Sequence, residues 1–294
     1  MEQQQNIDLK RFVDCIADPS SDGSLLIGDT HSAMIDCGMP FCADETIRRA
    51  KAALAGRPLD YMLMTHTHYD HIGALPYFRA EWPDMQAVST VVGAAVLQKD
   101  TPRRVIREFS KSAADEQGVR LDQSYDDDDF TVDIVVAEGD RIDLGAVTVE
   151  IIETPGHTRD AISFWVPELR LLVLSETTTV LKSDGSVYPC YLTSYDDAIA
   201  AVEKCRAYPF EHLCLPHRGL VSAQDAAGFF ELAQQALRDC HEFILGLAAA
   251  GMNEDEMLDA FYARYRSPDL EKYQPRAAFL VNARATIACT LSAV

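Results

Sequence analysis

The chain has 294 residues, 48% hydrophobic and 24% charged, the composition of a globular protein with enough length for one large core or a core plus a smaller appendage. Its 46 acidic and 26 basic residues give a net charge of -20, a field that repels polyphosphates and anionic membranes and so argues against nucleic-acid or membrane partners and for a small-molecule substrate. No apolar run is long enough to span a bilayer, and Met1-Glu2-Gln3-Gln4-Gln5 lacks the basic-then-apolar order of a signal peptide, so a cytoplasmic location is expected. The 8 cysteines form no C-x-x-C pair and are scattered through apolar segments, as reduced core thiols would be.

Leu25-Leu26-Ile27 and Ala33-Met34-Ile35 are strand-like, with Gly28-Asp29-Thr30-His31 as the turn between them. A helical pattern from Asp44 to Ala55 ends at Gly56, and Tyr61-Met62-Leu63-Met64 is a short buried-strand run. A helix is expected over Gly73 to Arg79, and residues 91–118 are mostly helical with a break at Thr101-Pro102. Arg103, Arg104, Arg107 and Lys111 in this stretch form a basic patch at the spacing of a solvated helix face. Residues 119–130 are expected as loop, and the acidic run Asp126-Asp127-Asp128-Asp129 in it lacks the spaced ligands of a calcium loop.

Strands recur at Ile134-Val135-Val136, Val147 to Ile152, Ile162 to Val166, Leu171 to Leu174 and Leu213-Cys214-Leu215, with a helix capped by Ser194 running to Ala207. Two similar sets of strands and helices imply two sheets packed face to face with helices outside, an α/β (α+β) fold. Near residue 221 the pattern becomes all helical. Ser222 with Asp225 opens a helix carried by apolar residues from Ala226 to Leu247 and ended by Gly251, Asn253 with Glu256 opens the next, and Pro275 starts the last. The expected division is residues 1–221 as the main domain and 222–294 as a helical extension packed on it. That extension reads either as core cover or as a homodimer face or substrate-pocket wall.

The densest chemical signal is Thr65-His66-Thr67-His68-Tyr69-Asp70-His71, directly after the strand at Tyr61. Four metal-binding side chains so close on a loop cannot all address one ion, and backbone alternation would send His66 and His68 one way and Asp70 and His71 the other. Two adjacent metal positions follow, each needing further ligands. Three later segments offer them, each after an apolar strand: Thr154-Pro155-Gly156-His157-Thr158, Leu174-Ser175-Glu176-Thr177 and Pro216-His217-Arg218-Gly219.

These motifs resemble the metallo-β-lactamase superfamily over roughly residues 20–220: H-x-H-x-D-H stands as His66, His68, Asp70 and His71, the later histidines as His157 and His217, and the early strand end as Ile35-Asp36-Cys37-Gly38. The resemblance implies an αββα sandwich with two divalent ions, zinc above all with iron or manganese as alternatives, at one edge of the sheets. It implies His66, His68 and His157 on one ion, Asp70, His71 and His217 on the other, and Asp36 as a supporting partner. Where the family carries a bridging aspartate, this chain has Glu176. Its extra methylene leaves three outcomes: a shifted loop with a normal two-ion site, a carboxylate on one ion only, or a side chain turned away. The implied activity is hydrolysis of a small ester, thioester, lactone or lactam by hydroxide generated at the metals, with Asp70 orienting the nucleophile. No residue stands out as a general acid; Tyr191 and Tyr195, after Glu176, are within reach of the site but read first as packing residues. A di-iron redox enzyme and a non-catalytic metal-binding sensor are the competing classes, the former disfavoured by His68 at the second motif position and by the lack of a phosphate-cradling glycine loop.

Overall fold

The computed structural model describes residues 9–17, 21–268 and 270–292. Met1-Glu2-Gln3-Gln4-Gln5, which bear on the signal-peptide expectation, lie outside them. Six strands form the first sheet in the order β1 (Phe12–Asp14), β2 (Ser24–Ile27), β3 (Ser32–Ile35), β4 (Tyr61–Leu63), β5 (Gln86–Thr90) and β6 (Ile134–Val136). It is antiparallel from β1 to β3 and parallel from β3 to β6. The parallel half is threaded by α1 (Ala43–Leu54), α2 (Tyr69–Ile72), α3 (Leu75–Glu81), α4 (Val91–Leu97) and α5 (Asp100–Glu116).

The second sheet starts with β7 (Arg141–Asp143), β8 (Thr148–Glu153), β9 (Ile162–Val166) and β10 (Leu171–Val173), all antiparallel neighbours. A separate hairpin, β11 (Val180–Leu181) with β12 (Val187–Tyr188), and helix α6 (Tyr195–Arg206) intervene before β13 (His212–Leu215) joins parallel to β10 and β14 (Gly219–Leu220) closes the edge. The chain ends in α7 (Ala223–Ala226), α8 (Phe229–Ala249), α9 (Glu254–Tyr265), α10 (Leu270–Tyr273) and α11 (Arg276–Ser292).

The period-two alternation of the strands explains the layering. Leu26, Ala33, Ile35, Leu63 and Val88 of the first sheet meet Ile151, Phe164, Val166, Leu171 and Val173 of the second in one buried cluster between the sheets. Their sequence neighbours Leu25, Met34, Met62 and Ala87 point the other way, onto a second cluster with Leu54, Phe78 and Ile106 from the helices. Ile152, Trp165, Leu172, Leu213 and Leu215 point outward from the second sheet into a third, shared with Val202, Phe229, Leu237, Phe261 and Phe279. The architecture is the expected αββα sandwich, and the C-terminal helices bury their apolar faces in the outer core of the second sheet.

Three expectations shift. The helical break falls at Gln98 and Lys99, because Pro102 sits in the first turn of α5, where no backbone N–H partner is required. The helix opened by Ser222 lasts only to Ala226. Gly228, with φ of 78°, then turns the chain into α8 as a separate helix. The basic patch and the acidic run are partners: Arg103 Nη1 binds Asp128 at 2.8 Å, and Arg107 binds Asp127 and donates to the Gln123 carbonyl at 2.7 Å. Strand β5 escaped the sequence reading because Gln86, Ser89 and Thr90 dilute its apolar signal to two residues. The Ser194, Ser222 and Asn253 caps form as expected, the last as a full capping box.

Phe279 on α11 is fully buried against Tyr188, Phe261 and Tyr262. Phe279→Ala should lower the unfolding free energy by about 3–5 kcal/mol in urea titrations followed by circular dichroism. All eight cysteines are reduced, and all but Cys289 are buried. Burial raises the thiols further, Cys15 and Cys205 to about 12 and Cys240 to about 11. A disulfide reagent should therefore label at most Cys289 quickly in the native protein and all eight cysteines in denaturant.

Candidate metal centre

The functional side chains come from loops at the carboxyl ends of strands in both sheets, where the chain leaves the core and its side chains turn inward. Asp36 follows β3, the histidine loop follows β4, His157 follows β8, Glu176 follows β10 and His217 follows β13. Main-chain contacts hold these loops in register. Ile162 N donates to Thr65 O at 2.8 Å across the two sheets, and Thr67 N donates to Asp160 Oδ2 at 2.9 Å. Gly156, at φ of 139°, explains the Pro-Gly turn: a Cβ there would lie 2.7 Å from Ala198 N, and its carbonyl accepts from the N–H groups of Leu192, Thr193 and Ser194. Gly38 is equally constrained, since a Cβ would lie 1.7 Å from Ser21 Oγ.

Five of the eight histidines converge with two carboxylates. The ligand atoms of His66, His68, His157 and Glu176 lie within 4.8 Å of one another, and so do those of Asp70, His71, His217 and Glu176. Glu176 belongs to both groups through different oxygens. Its Oε2 lies 2.8 Å from His157 Nε2 and 3.8 Å from His66 Nε2, and its Oε1 lies 2.7 Å from His217 Nε2 and 3.9 Å from His71 Nε2. The Glu176 side chain is not turned away: its two oxygens reach the two groups separately. The grouping matches the expectation, but its cause differs. The chain is not extended past His68, and Asp70 and His71 separate from the earlier histidines by riding a single helical turn, α2, that begins after His68.

A second layer fixes the rings. Asp36 Oδ1 accepts from Thr65 N at 2.8 Å, while Oδ2 accepts from the Thr65 hydroxyl at 2.6 Å and from His71 Nδ1 at 2.9 Å. With the hydroxyl proton committed to Asp36, His66 Nδ1, 3.1 Å from Thr65 Oγ1, must be the donor in that pair. His157 Nδ1 lies 3.1 Å from the Cys190 carbonyl, which can only accept. When neutral, these three imidazoles are held in the tautomer whose Nε2 lone pair faces the centre. Asp22 accepts from His217 N at 2.8 and 3.0 Å and holds that residue at φ of 59°. Asp22 and Asp36 cluster with His71 Nδ1, but their oxygens serve these supporting bonds, which makes that cluster scaffolding for the centre.

The residues fit a pair of cations. His66 Nε2, His71 Nε2 and Asp70 Oδ1 are buried and have no hydrogen-bond partner among the described residues, an arrangement costly unless an electrophile sits among them. Burial, reinforced by neighbouring imidazoles, holds His66 well below its ordinary pKa and His68 down to about 3, so both rings are neutral and able to ligate. Burial opposes a charge on His217, but Asp22 and Glu176 outweigh it and raise the ring to about 9. Burial alone would raise Glu176. Its contacts with His157, His217 and His71 outweigh that and keep the carboxyl ionised well below its usual range.

Asp22, the Thr65 hydroxyl and the Cys190 carbonyl were not read from the sequence. Asp22 sits in an ordinary-looking Ser-Asp-Gly turn, and a carbonyl carries no sequence signal. Tyr191 is packing, its hydroxyl 2.8 Å from Thr290 Oγ1, and Tyr195 stacks on His241.

An αββα sandwich with paired histidine and carboxylate groups on one edge defines a class of metal-binding proteins, and the sequence comparison gives the family. The sequence profile of the metallo-beta-lactamase superfamily matches residues 20–217, and the chain belongs to that superfamily. Similar curated proteins include a hydroxyacylglutathione hydrolase of Ruegeria pomeroyi, 26% identical over 43% of this chain and 36% of the relative. A beta-lactamase-like protein 2 homolog of Caenorhabditis elegans is 27% identical over 60% of this chain and 50% of the relative. The chain thus spans at most half the length of these relatives. The archaeal metallo-beta-lactamase superfamily protein of Sulfolobus tokodaii shares the fold, with a TM-score of 0.55 and 20% identity over 78% of this chain and 98% of that one.

Removing the Asp36 carboxylate frees the rings of both His66 and His71. Asp36→Ala should weaken metal binding about 10–100-fold in chelator-competition titrations, and Thr65→Val, which spares the His71 contact, should weaken it less.

Proposed function

We propose that the protein is a binuclear metallo-hydrolase of small carbonyl compounds, an ester, thioester, lactone or lactam. In this reading His66, His68 and His157 hold one divalent ion and Asp70, His71 and His217 the other, with Glu176 shared between them. The observation that carries it is the placement of the two Glu176 oxygens, one toward each group of imidazoles. The nitrogen-rich donor set favours zinc over iron or manganese. A relative named as a hydroxyacylglutathione hydrolase makes thioesters the first substrates to test. The buried, reduced thiols suit a cytoplasmic setting.

Bound at these groups, two divalent ions would acidify a water near neutral pH and polarise the substrate carbonyl. The chain's own residues do the rest. Asp70 Oδ1, buried and unpartnered, accepts a hydrogen bond from the attacking water and turns a lone pair toward the carbonyl carbon. Asp36, Thr65, Asp22 and the Cys190 carbonyl keep the imidazoles aimed, so little reorganisation accompanies the reaction. Gln274 and Asn282 line the cavity beside Asp70, His157 and Glu176 and offer amide groups to a bound substrate.

Protein purified in zinc should carry about two equivalents by plasma mass spectrometry, and Glu176→Ala should lose at least one of them while keeping its circular dichroism spectrum. On a panel of generic esters and thioesters, turnover should vanish with chelator, return with zinc, and fall to buffer background in His68→Ala. If the metallated wild type and His68→Ala are indistinguishable on every substrate, the hydrolase reading is wrong and a binding or sensing role replaces it. Stoichiometric iron in protein prepared without added metal would point instead to redox chemistry.

A further inference from the structure

The cluster opens onto a cleft of about 480 Å3, within the range that takes a small organic ligand. His68, Asp70 and Glu176 form its floor. Its apolar wall comes from two places far apart in sequence, Val92, Val96, Val105, Ile106 and Phe109 on α4 and α5 and Val281 on α11, while Thr158, Arg159 and Asp160 add a polar side. Val92, Val105 and Val281 are 37%, 38% and 51% exposed, so large apolar side chains stand in solvent beside a site built from charges. Isolated exposed valines are ordinary, but three facing one cleft form a surface that gains from being covered. Lys99 and Arg159 also line the cleft and have no carboxylate partner among the described residues. The chain around them carries a net charge of -20.

Resting on the hydrolase reading, we propose that the substrate is an anionic acyl compound whose aliphatic chain lies between α4–α5 and α11, with Lys99 and Arg159 meeting its negative charge. The continuity of the cleft with the Asp70 and Glu176 carboxylates decides the occupant. A group seated on the valines is joined to whatever reaches the metal-binding side chains, which places the acyl chain and its carbonyl in one molecule. The α11 wall lies beyond the residues matched by the family profile, at 20–217, so this chain supplies that part of its specificity outside the shared core.

The test reads binding, which needs no turnover. Zinc-loaded protein is titrated by calorimetry with butyrate, hexanoate and octanoate, and with octanamide. Each methylene added along the cleft should tighten binding up to about fourfold, so octanoate should exceed butyrate at least tenfold. Val281→Asp, a change at a half-exposed position that leaves the core untouched, should flatten this series with no loss of thermal stability. Lys99→Ala/Arg159→Ala should weaken octanoate several-fold and leave octanamide unchanged, which separates a charge met by these cations from one met by zinc. Affinity independent of chain length overturns the acyl-chain assignment, and octanoate binding unmoved by the double variant overturns the anionic one. Chain-length-dependent binding by a protein that hydrolyses nothing in the ester and thioester panel would instead sink the hydrolase reading and leave the cleft as a binding site for an acyl ligand.

Discussion

Glu176 lies between two sets of imidazoles that approach it from opposite sides, and much of the sandwich's edge is arranged around that contact. A buried carboxylate is tolerable only when matched by positive charge and hydrogen bonds. Here His157 and His217 lie 2.8 and 2.7 Å from its two oxygens. Those residues are separated by 60 positions and come from loops after β8 and β13. Bringing them to one carboxylate requires the second sheet to present the ends of β8, β10 and β13 on the same side, which its strand directions do, since β8 and β10 are both antiparallel to β9 and β13 is parallel to β10. The first sheet contributes His66, His68, Asp70 and His71 after β4 in the same way. Glu176 itself opens a 3-10 turn, Glu176–Thr178, whose cap Thr179 takes φ of 82°.

Strain concentrates where the site is built. Asp36, Thr179 and His217 are non-glycine residues at positive φ, and all lie in or beside the centre. Such conformations cost on the order of 1–3 kcal/mol each and persist only where surrounding bonds over-determine them. For Asp36 those bonds are the ones to Thr65 and His71, and for His217 they are the paired contacts from Asp22 to its backbone N–H. The supporting residues therefore do two jobs. They hold an unfavourable backbone, and Asp36, directly and through the Thr65 hydroxyl, also orients the rings of His71 and His66.

The layers of the fold were legible because period-two alternation survives in β2, β3, β4, β8, β9 and β10, where large aliphatic residues point both ways from sheets buried on both faces. The ligands were legible because a dense histidine motif has few other uses. The side chains do fall into two spatial groups, but a helical turn and not an extended strand separates Asp70 and His71 from His66. The illegible parts share a physical cause. Strand β5 is held by its neighbours more than by its own composition. Asp22 acts through contacts nearly two hundred residues away, at His217 N. The pairing of Arg103 and Arg107 with the Asp126–Asp129 run depends on a loop folding back on α5, which no local pattern announces.

The metal-binding cluster and the cleft walls are carried by different parts of the chain. The clustered histidines and carboxylates sit on the sandwich edge, clamped by short bonds among buried residues that leave little freedom for substitution. The cleft walls are helical side chains, several of them exposed, whose exchange costs the core little. Helix α11 joins the two: Phe279 anchors it in the outer core of the second sheet, while Ala278, Val281 and Asn282 face the cleft. A helix fixed on one side by an aromatic cluster and open on the other can change its exposed residues without moving the metal-binding loops.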